Sequence, residues 1–135
     1  MRTLFTFLFL SLAMAGFAQK KNMKPMLGYD KIYPYKESAA GRIAKVEKLG
    51  KMGFIKEDGE ELVACKYDNI YPWEKGRAKV EIAGKYGFIR EADGEEYIQV
   101  KYDYIGPFKN GLAIITNLGR RGLINEEGTE VVPLD

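Results

Sequence analysis

A seven-residue motif occurs three times in this chain. Tyr29-Asp30-Lys31-Ile32-Tyr33-Pro34-Tyr35 returns as Tyr67-Asp68-Asn69-Ile70-Tyr71-Pro72-Trp73, and again as Tyr102-Asp103-Tyr104-Ile105-Gly106-Pro107-Phe108. Self-similarity at a fixed period restricts a chain to architectures in which one supersecondary unit is copied and each copy covers its neighbour. Two further signatures follow in every copy. The first is Gly50-Lys51-Met52-Gly53-Phe54-Ile55, with counterparts Gly84 to Ile89 and Gly119 to Ile124. The second is Asp58-Gly59-Glu60-Glu61, with counterparts Asp93 to Glu96 and Glu127 to Glu130.

Tyr29 to Tyr67 is 38 positions and Tyr67 to Tyr102 is 35. The excess is local: four residues within Lys36 to Ile43 in the first copy, and one around Ala92 in the second. Without them the period is 34. Both insertions fall in polar, Gly-containing stretches, as loops tolerate. A 34-residue period also suits paired helices. Here, however, each copy carries several glycines, a proline and alternating β-branched residues, and none sustains an i, i+3, i+4 apolar pattern.

Strands fit better. Ala78, Val80 and Ile82 alternate with Lys79 and Glu81, as do Ala44 and Val46, and Ala113 and Ile115, which places each set on one face. Gly84-Lys85 and its equivalents predict a tight turn, followed by strands over 52–56, 86–90 and 121–125. The Asp-Gly or Glu-Gly pairs predict the next turn, since such hairpin turns need positive φ. Third strands follow over 61–67, 96–102 and 130–134. The expectation is an all-β fold of three tandem antiparallel meanders (copies 29–66, 67–101 and 102–135). Met26-Leu27-Gly28 occupies the register of Ala64-Cys65-Lys66, and Leu134-Asp135 lies where a fourth Tyr-Asp motif would start. The terminal strands therefore either pair and close the array or remain as edges open to another chain.

The first 18 residues do not belong to this pattern. Met1-Arg2, an apolar run over Leu4 to Ala15 and small residues at Gly16 and Ala18 have the form of a secretory signal peptide. Cleavage after Ala18 would leave 19–27 as a lead-in, with 28–135 as the repeat domain. A periplasmic or extracellular location follows, without stable membrane insertion. The chain has 21 Lys+Arg against 19 Asp+Glu, a net +2 that falls to +1 without Arg2. Such a balance gives no basic footprint for nucleic acid. Cys65 is the sole cysteine, so no internal disulfide forms, and its expected role is that of a small buried hydrophobe. There is no histidine, which removes the usual general base and metal ligand. No enzymatic activity, metal or cofactor is expected.

With these motifs the chain resembles the WG repeats, a bacterial family whose copies combine a Gly-Leu-Ala strand, a Gly-Lys-Trp-Gly-Tyr/Phe-Ile segment, an acidic glycine turn and a Tyr-Asp-x-Ile segment. The resemblance covers Gly28 to Asp135. It departs at the tryptophan, replaced by Met52, Tyr86 and Arg121, while Gly53, Gly87 and Gly122 stay. The resemblance implies an exported β scaffold that mediates interactions and has no general catalytic activity.

The expected function is therefore protein binding, with carbohydrate or cell-wall binding as the alternative. Tyr35, Trp73 and Phe108 form an aromatic row that either stacks on sugar rings or fills the spaces between copies. Tyr33 and Tyr71 are expected to be the more exposed rings, and Gly106 interrupts them. Lys51, Lys85 and Arg120 form a basic row able to meet an anionic glycan or headgroup. Asp30, Asp68 and Asp103 are read as turn residues whose carboxylates accept backbone N–H groups. The acidic turns read as a solvated edge that discourages aggregation.

Overall fold

A computed structural model describes residues 28–135; the expected signal peptide and the lead-in over 19–27 lie outside the described residues. All regular structure among the described residues is strand, arranged as three separate antiparallel sheets. The first contains β1 (Lys31–Ile32), β2 (Lys36–Ser38), β3 (Gly41–Lys48), β4 (Lys51–Lys56) and β5 (Glu61–Tyr67). The second contains β6 (Asn69–Ile70), β7 (Arg77–Ile82), β8 (Lys85–Arg90) and β9 (Glu96–Tyr102). The third contains β10 (Tyr104–Ile105), β11 (Leu112–Asn117), β12 (Arg120–Asn125) and β13 (Glu130–Val132).

The three expected strands per copy are present, with one addition. The Tyr-Asp-x-Ile segment is itself a two-residue strand on the edge of its sheet, where Ile32, Ile70 and Ile105 pair with Val46, Val80 and Ile115. The four-residue insertion of the first copy extends this edge: β2 pairs with the start of β3 as a hairpin. No strand pairing joins the first sheet to the third among the described residues. Met26 and Leu27, the strand end that would close the array, lie outside the described residues.

The first turn lies one residue earlier than Gly84-Lys85. Ala83 and Gly84 both have positive φ, as do Leu49-Gly50 and Leu118-Gly119. This is the two-residue loop whose twist matches that of its strands. The left-handed conformation costs a residue with a Cβ about 1–2 kcal/mol. A carboxylate from the repeated motif offsets it: the N–H groups of Leu49, Ala83 and Leu118 donate to Asp30, Asp68 and Asp103, each at 2.7 Å. The aspartates therefore accept backbone N–H groups, but from a hairpin tip rather than from their own turn. Their place in the chain is the step from one sheet to the next.

Gly53, Gly87 and Gly122 have another cause. Opposite Gly87, β9 bulges, so that Tyr86 faces Tyr102 while Phe88 faces Ile98. The arch brings backbone onto the glycine: a Cβ there would stand 2.4 Å from the Ile98 carbonyl oxygen. At Gly53 and Gly122 the distances are 2.4 and 2.5 Å. A side chain has no room at these positions.

The core lies between sheets. Ile43, Phe54, Val63 and Tyr67 of the first sheet pack on Ile70, Ala78, Val80 and Ile89 of the second. Phe88, Ile98 and Tyr102 meet Ile105, Ala113, Ile115 and Ile124 in the same way. Each buried Val or Ile contributes about 2 kcal/mol. Ala44, Val46 and Ile55, on the first sheet's other face, pack with Tyr29, Ile32, Tyr35 and Cys65. Cys65 is half-buried, and burial raises its thiol pKa, so that it sits as a protonated, apolar group.

Candidate functional site

Both seams are locked by the same polar contacts. The Tyr67 hydroxyl donates to Glu96 at 2.6 Å, and that of Tyr102 to Glu130 at 2.5 Å. Burial, and then these hydrogen bonds to carboxylates, push both phenol pKa values well above the ordinary tyrosine range. Lys51 pairs with Asp68, and Lys85 with Asp103. The expected basic row is therefore divided: Lys51 and Lys85 join copies, and only Arg120 is exposed without a carboxylate partner among the described residues. The Asp68 carboxyl is held below the usual carboxylate range by the Ala83 N–H and then by Lys51, and Asp103 by Lys85 and then by the Leu118 N–H.

The aromatic row is seated in the seams. The Trp73 ring lies 5.1 Å from that of Phe54, and the Phe108 ring 5.7 Å from that of Phe88. The Arg77 guanidinium covers Phe108 at 4.2 Å and also donates to Glu126 of the third copy at 2.8 Å. Tyr35 packs on the first sheet's apolar cluster. All three rings are half-buried, so they do not form a continuous exposed ladder. The Trp73 Nε1–H is buried with no acceptor. The two tyrosines also differ. Tyr33 is half-buried and donates to Glu47, whereas Tyr71 is exposed, with a 3.3 Å hydrogen bond to Glu81.

One groove stands out at the second seam. It encloses about 640 Å³ between the Tyr71-Pro72 segment of the second copy and the Tyr104 to Phe108 segment of the third. Gly106 is what opens it. The equivalent residue is Tyr71 in the second copy and Tyr33 in the first, so the groove lacks a ring there. Tyr104 leans over the gap instead: a Cβ on Gly106 would meet its hydroxyl at 3.2 Å. The rims carry the exposed rings of Tyr71 and Tyr104. The floor holds Phe88 and Lys79, whose ammonium donates to the Ile105 carbonyl at 2.9 Å. Lys79 has no carboxylate within ion-pair reach among the described residues, and desolvation lowers its pKa. An ammonium with hydrogens to spare, flanked by tyrosine rings, suits a chain segment that brings both apolar surface and a carboxylate or carbonyl oxygen.

The sequence singled out Tyr71 and noted the break at Gly106, but gave no signal for Tyr104 or Lys79 as neighbours of these two. Lys79 appears in the sequence only as one of the residues that alternate with Ala78, Val80 and Ile82.

The acidic turns are threaded by arginines. Arg42 donates to Glu57 at 2.9 Å, and Arg90 pairs with Asp93 at 3.0 Å. Among the described residues no three His, Cys, Asp or Glu side chains are grouped to hold a metal ion. A family model described as WG containing repeat matches residues 52–86 and again 86–119, together about half of the chain. No curated protein matches the chain, and no solved structure does.

Proposed function

Since the chain belongs to the WG containing repeat family, we propose that it is an exported, non-enzymatic β-repeat protein that binds a protein partner in the cell envelope or outside the cell. The observation that carries this reading is the groove at the second seam, where a glycine replaces the tyrosine of the other copies and leaves exposed rings and an unpaired ammonium around a cavity. Export is supported by the signal-peptide pattern of residues 1–18. The absence of catalysis is supported by the lack of histidine and by carboxylates committed to turns, seams and arginine pairs.

A second reading is carbohydrate or cell-wall binding. It is favoured by the exposed rings of Tyr71 and Tyr104 rather than by the seam row of Tyr35, Trp73 and Phe108. One pair of proteins tests both: the chain and its Tyr71→Ala/Tyr104→Ala variant, in a cross-linked pull-down from envelope extract and on a glycan array. Both substitutions are at exposed sites, so the variant should keep its melting temperature. Partners lost only from the variant pull-down support the protein reading, and glycans lost only from its array support the second. Identical results for the two proteins on both platforms would remove the groove from consideration.

A further inference from the structure

Two leucines stand where neither the core nor the local turn asks for them. Leu49 and Leu118 are 84% and 82% exposed, more than any other large hydrophobic side chain among the described residues. Each opens a two-residue hairpin loop, with φ of 53° and 52°. Such loops favour Asn, Asp or Gly, because positive φ crowds a Cβ. A single exposed leucine is ordinary on a protein surface, but not in this conformation. The bond from each tip N–H to an aspartate steadies the backbone and gives the side chain nothing. The same kind of loop at the other end of these strands, before β7 and β11, makes the contrast. There the positive-φ residues ahead of glycine are Lys75 and Asn110, both polar.

The tips form one ridge. Lys51 of the first hairpin pairs with Asp68, which accepts the Ala83 N–H at the tip of the second. Lys85 of the second pairs with Asp103, which accepts the Leu118 N–H of the third. Leu49, Ala83 and Leu118 therefore project in a row along the stack, the leucines about 20 Å apart at about 10 Å per sheet. Cations flank the row. Lys51 and Lys85 are matched by their aspartates, whereas Lys48, Arg120 and Arg121 are exposed, with no carboxylate partner among the described residues. The acidic turns lie at the far ends of β4, β8 and β12, each a strand of 6 residues, or about 20 Å long. The molecule is polarised along its strands, apolar and basic at the hairpin tips and acidic at the opposite end.

We propose that this ridge docks the protein reversibly on an anionic membrane surface. Leu49 and Leu118 enter the interface, and Lys48, Arg120 and Arg121 meet the headgroup phosphates. Leucines on a convex ridge have no walls that a shaped partner could match, while a lipid interface accepts apolar side chains at any spacing. The cations beside them add attraction to anionic lipid that falls off within a Debye length, so the association is peripheral and salt-sensitive. None of these five residues lines the groove at the second seam, so the ridge stands apart from the protein-binding proposal.

Vesicle flotation tests this with the chain over residues 19–135, using phosphatidylcholine vesicles with and without phosphatidylglycerol. Leu49→Asn/Leu118→Asn installs Asn-Gly, the preferred pair for this loop, so its melting temperature should hold or rise. The expected result is that the wild type floats with the anionic vesicles, less so at high salt, and not with phosphatidylcholine alone. The Asn variant should bind about 100-fold more weakly, about tenfold per leucine, and Ala83→Leu, which adds a third apolar tip, more tightly. The groove variant Tyr71→Ala/Tyr104→Ala should float as the wild type does. Three outcomes would overturn the proposal. One is a wild type that does not float with anionic vesicles. Another is equal flotation on both kinds of vesicle. The third is an Asn variant that floats like the wild type, which would move the binding to charge elsewhere, such as Lys20, Lys21 and Lys24.

Discussion

Replacing Gly87 by alanine tests the reason for the invariant glycine of each copy. The added Cβ would lie 2.4 Å from the Ile98 carbonyl oxygen and 2.8 Å from both the Gln99 carbonyl carbon and the Val100 nitrogen. Carbon contacts are comfortable only beyond about 3.5 Å, so β9 has to retreat by about 1 Å. It is held on both sides: Tyr102 at its end is buried and bonded to Glu130 of the third sheet, and Ile98 lies in the second seam. Overpacking against a backbone that cannot give costs about 3 kcal/mol, the upper part of the usual range. For a domain of this size, that lowers the melting temperature by about 10 °C.

Two companion substitutions separate crowding from backbone conformation. Gly84→Ala meets nothing within 4 Å but has φ +78, so it loses about 1 kcal/mol through conformation alone. Gly122→Ala is slightly less crowded, at 2.5 Å from the Val132 carbonyl oxygen and 3.1 Å from the next backbone atoms, and β13 is a three-residue strand with an uncovered outer face and can move. Its cost should fall between the other two. Thermal melting by circular dichroism reads all three. If Gly87→Ala melted no lower than Gly84→Ala, close approach of the bulged strand would not be why glycine stands there.

Alkaline pH should open the seams. Tyr67 and Tyr102 have folded-state pKa values raised above the unfolded value near 10, so their contribution is complete below about pH 10 and is lost as the pH rises further. A melting series from pH 8 upward should therefore decline above about pH 10, and a Tyr67→Phe/Tyr102→Phe variant should start lower and decline less. Asp68 and Asp103 act in the opposite sense. Their folded-state values are depressed, so their contribution is present above about pH 4 and fades as the pH falls below it. An Asp68→Asn/Asp103→Asn variant with the wild-type acid slope would show that these carboxylates do not lock the turns. Trp73→Phe removes a buried N–H that has no acceptor along with part of a ring, so denaturant melts should show a loss below about 1 kcal/mol, against about 3 for Trp73→Ala. Equal losses would place the energy in the N–H after all.

The repeat, its period of 34, the strands and both insertion sites were legible in the sequence. Strand alternation, glycine turns and proline stops act over a few residues and leave a pattern along the chain. Even there, tertiary structure moved two details. The tight turn lies at Ala83-Gly84 because a carboxylate 15 residues earlier steadies Ala83. The Tyr-Asp-x-Ile segment becomes a strand because the next long strand offers it an edge. The seams were not legible. Lys51 and Asp68 are 17 residues apart, and Tyr67 and Glu96 are 29 apart. Their pairing depends on how one sheet lies on the next, which no local preference specifies. The groove belongs to the same class. Gly106 could be seen to break the tyrosine pattern, but that the break opens a cavity beside Lys79 and Tyr104 follows only from stacking the second copy against the third. Sequence alone thus determined the unit and its number. Stacking decided which repeated residues became joints, which became a site and which face stayed uncovered, because burial and charge pairing are properties of surfaces brought together rather than of the chain that carries them.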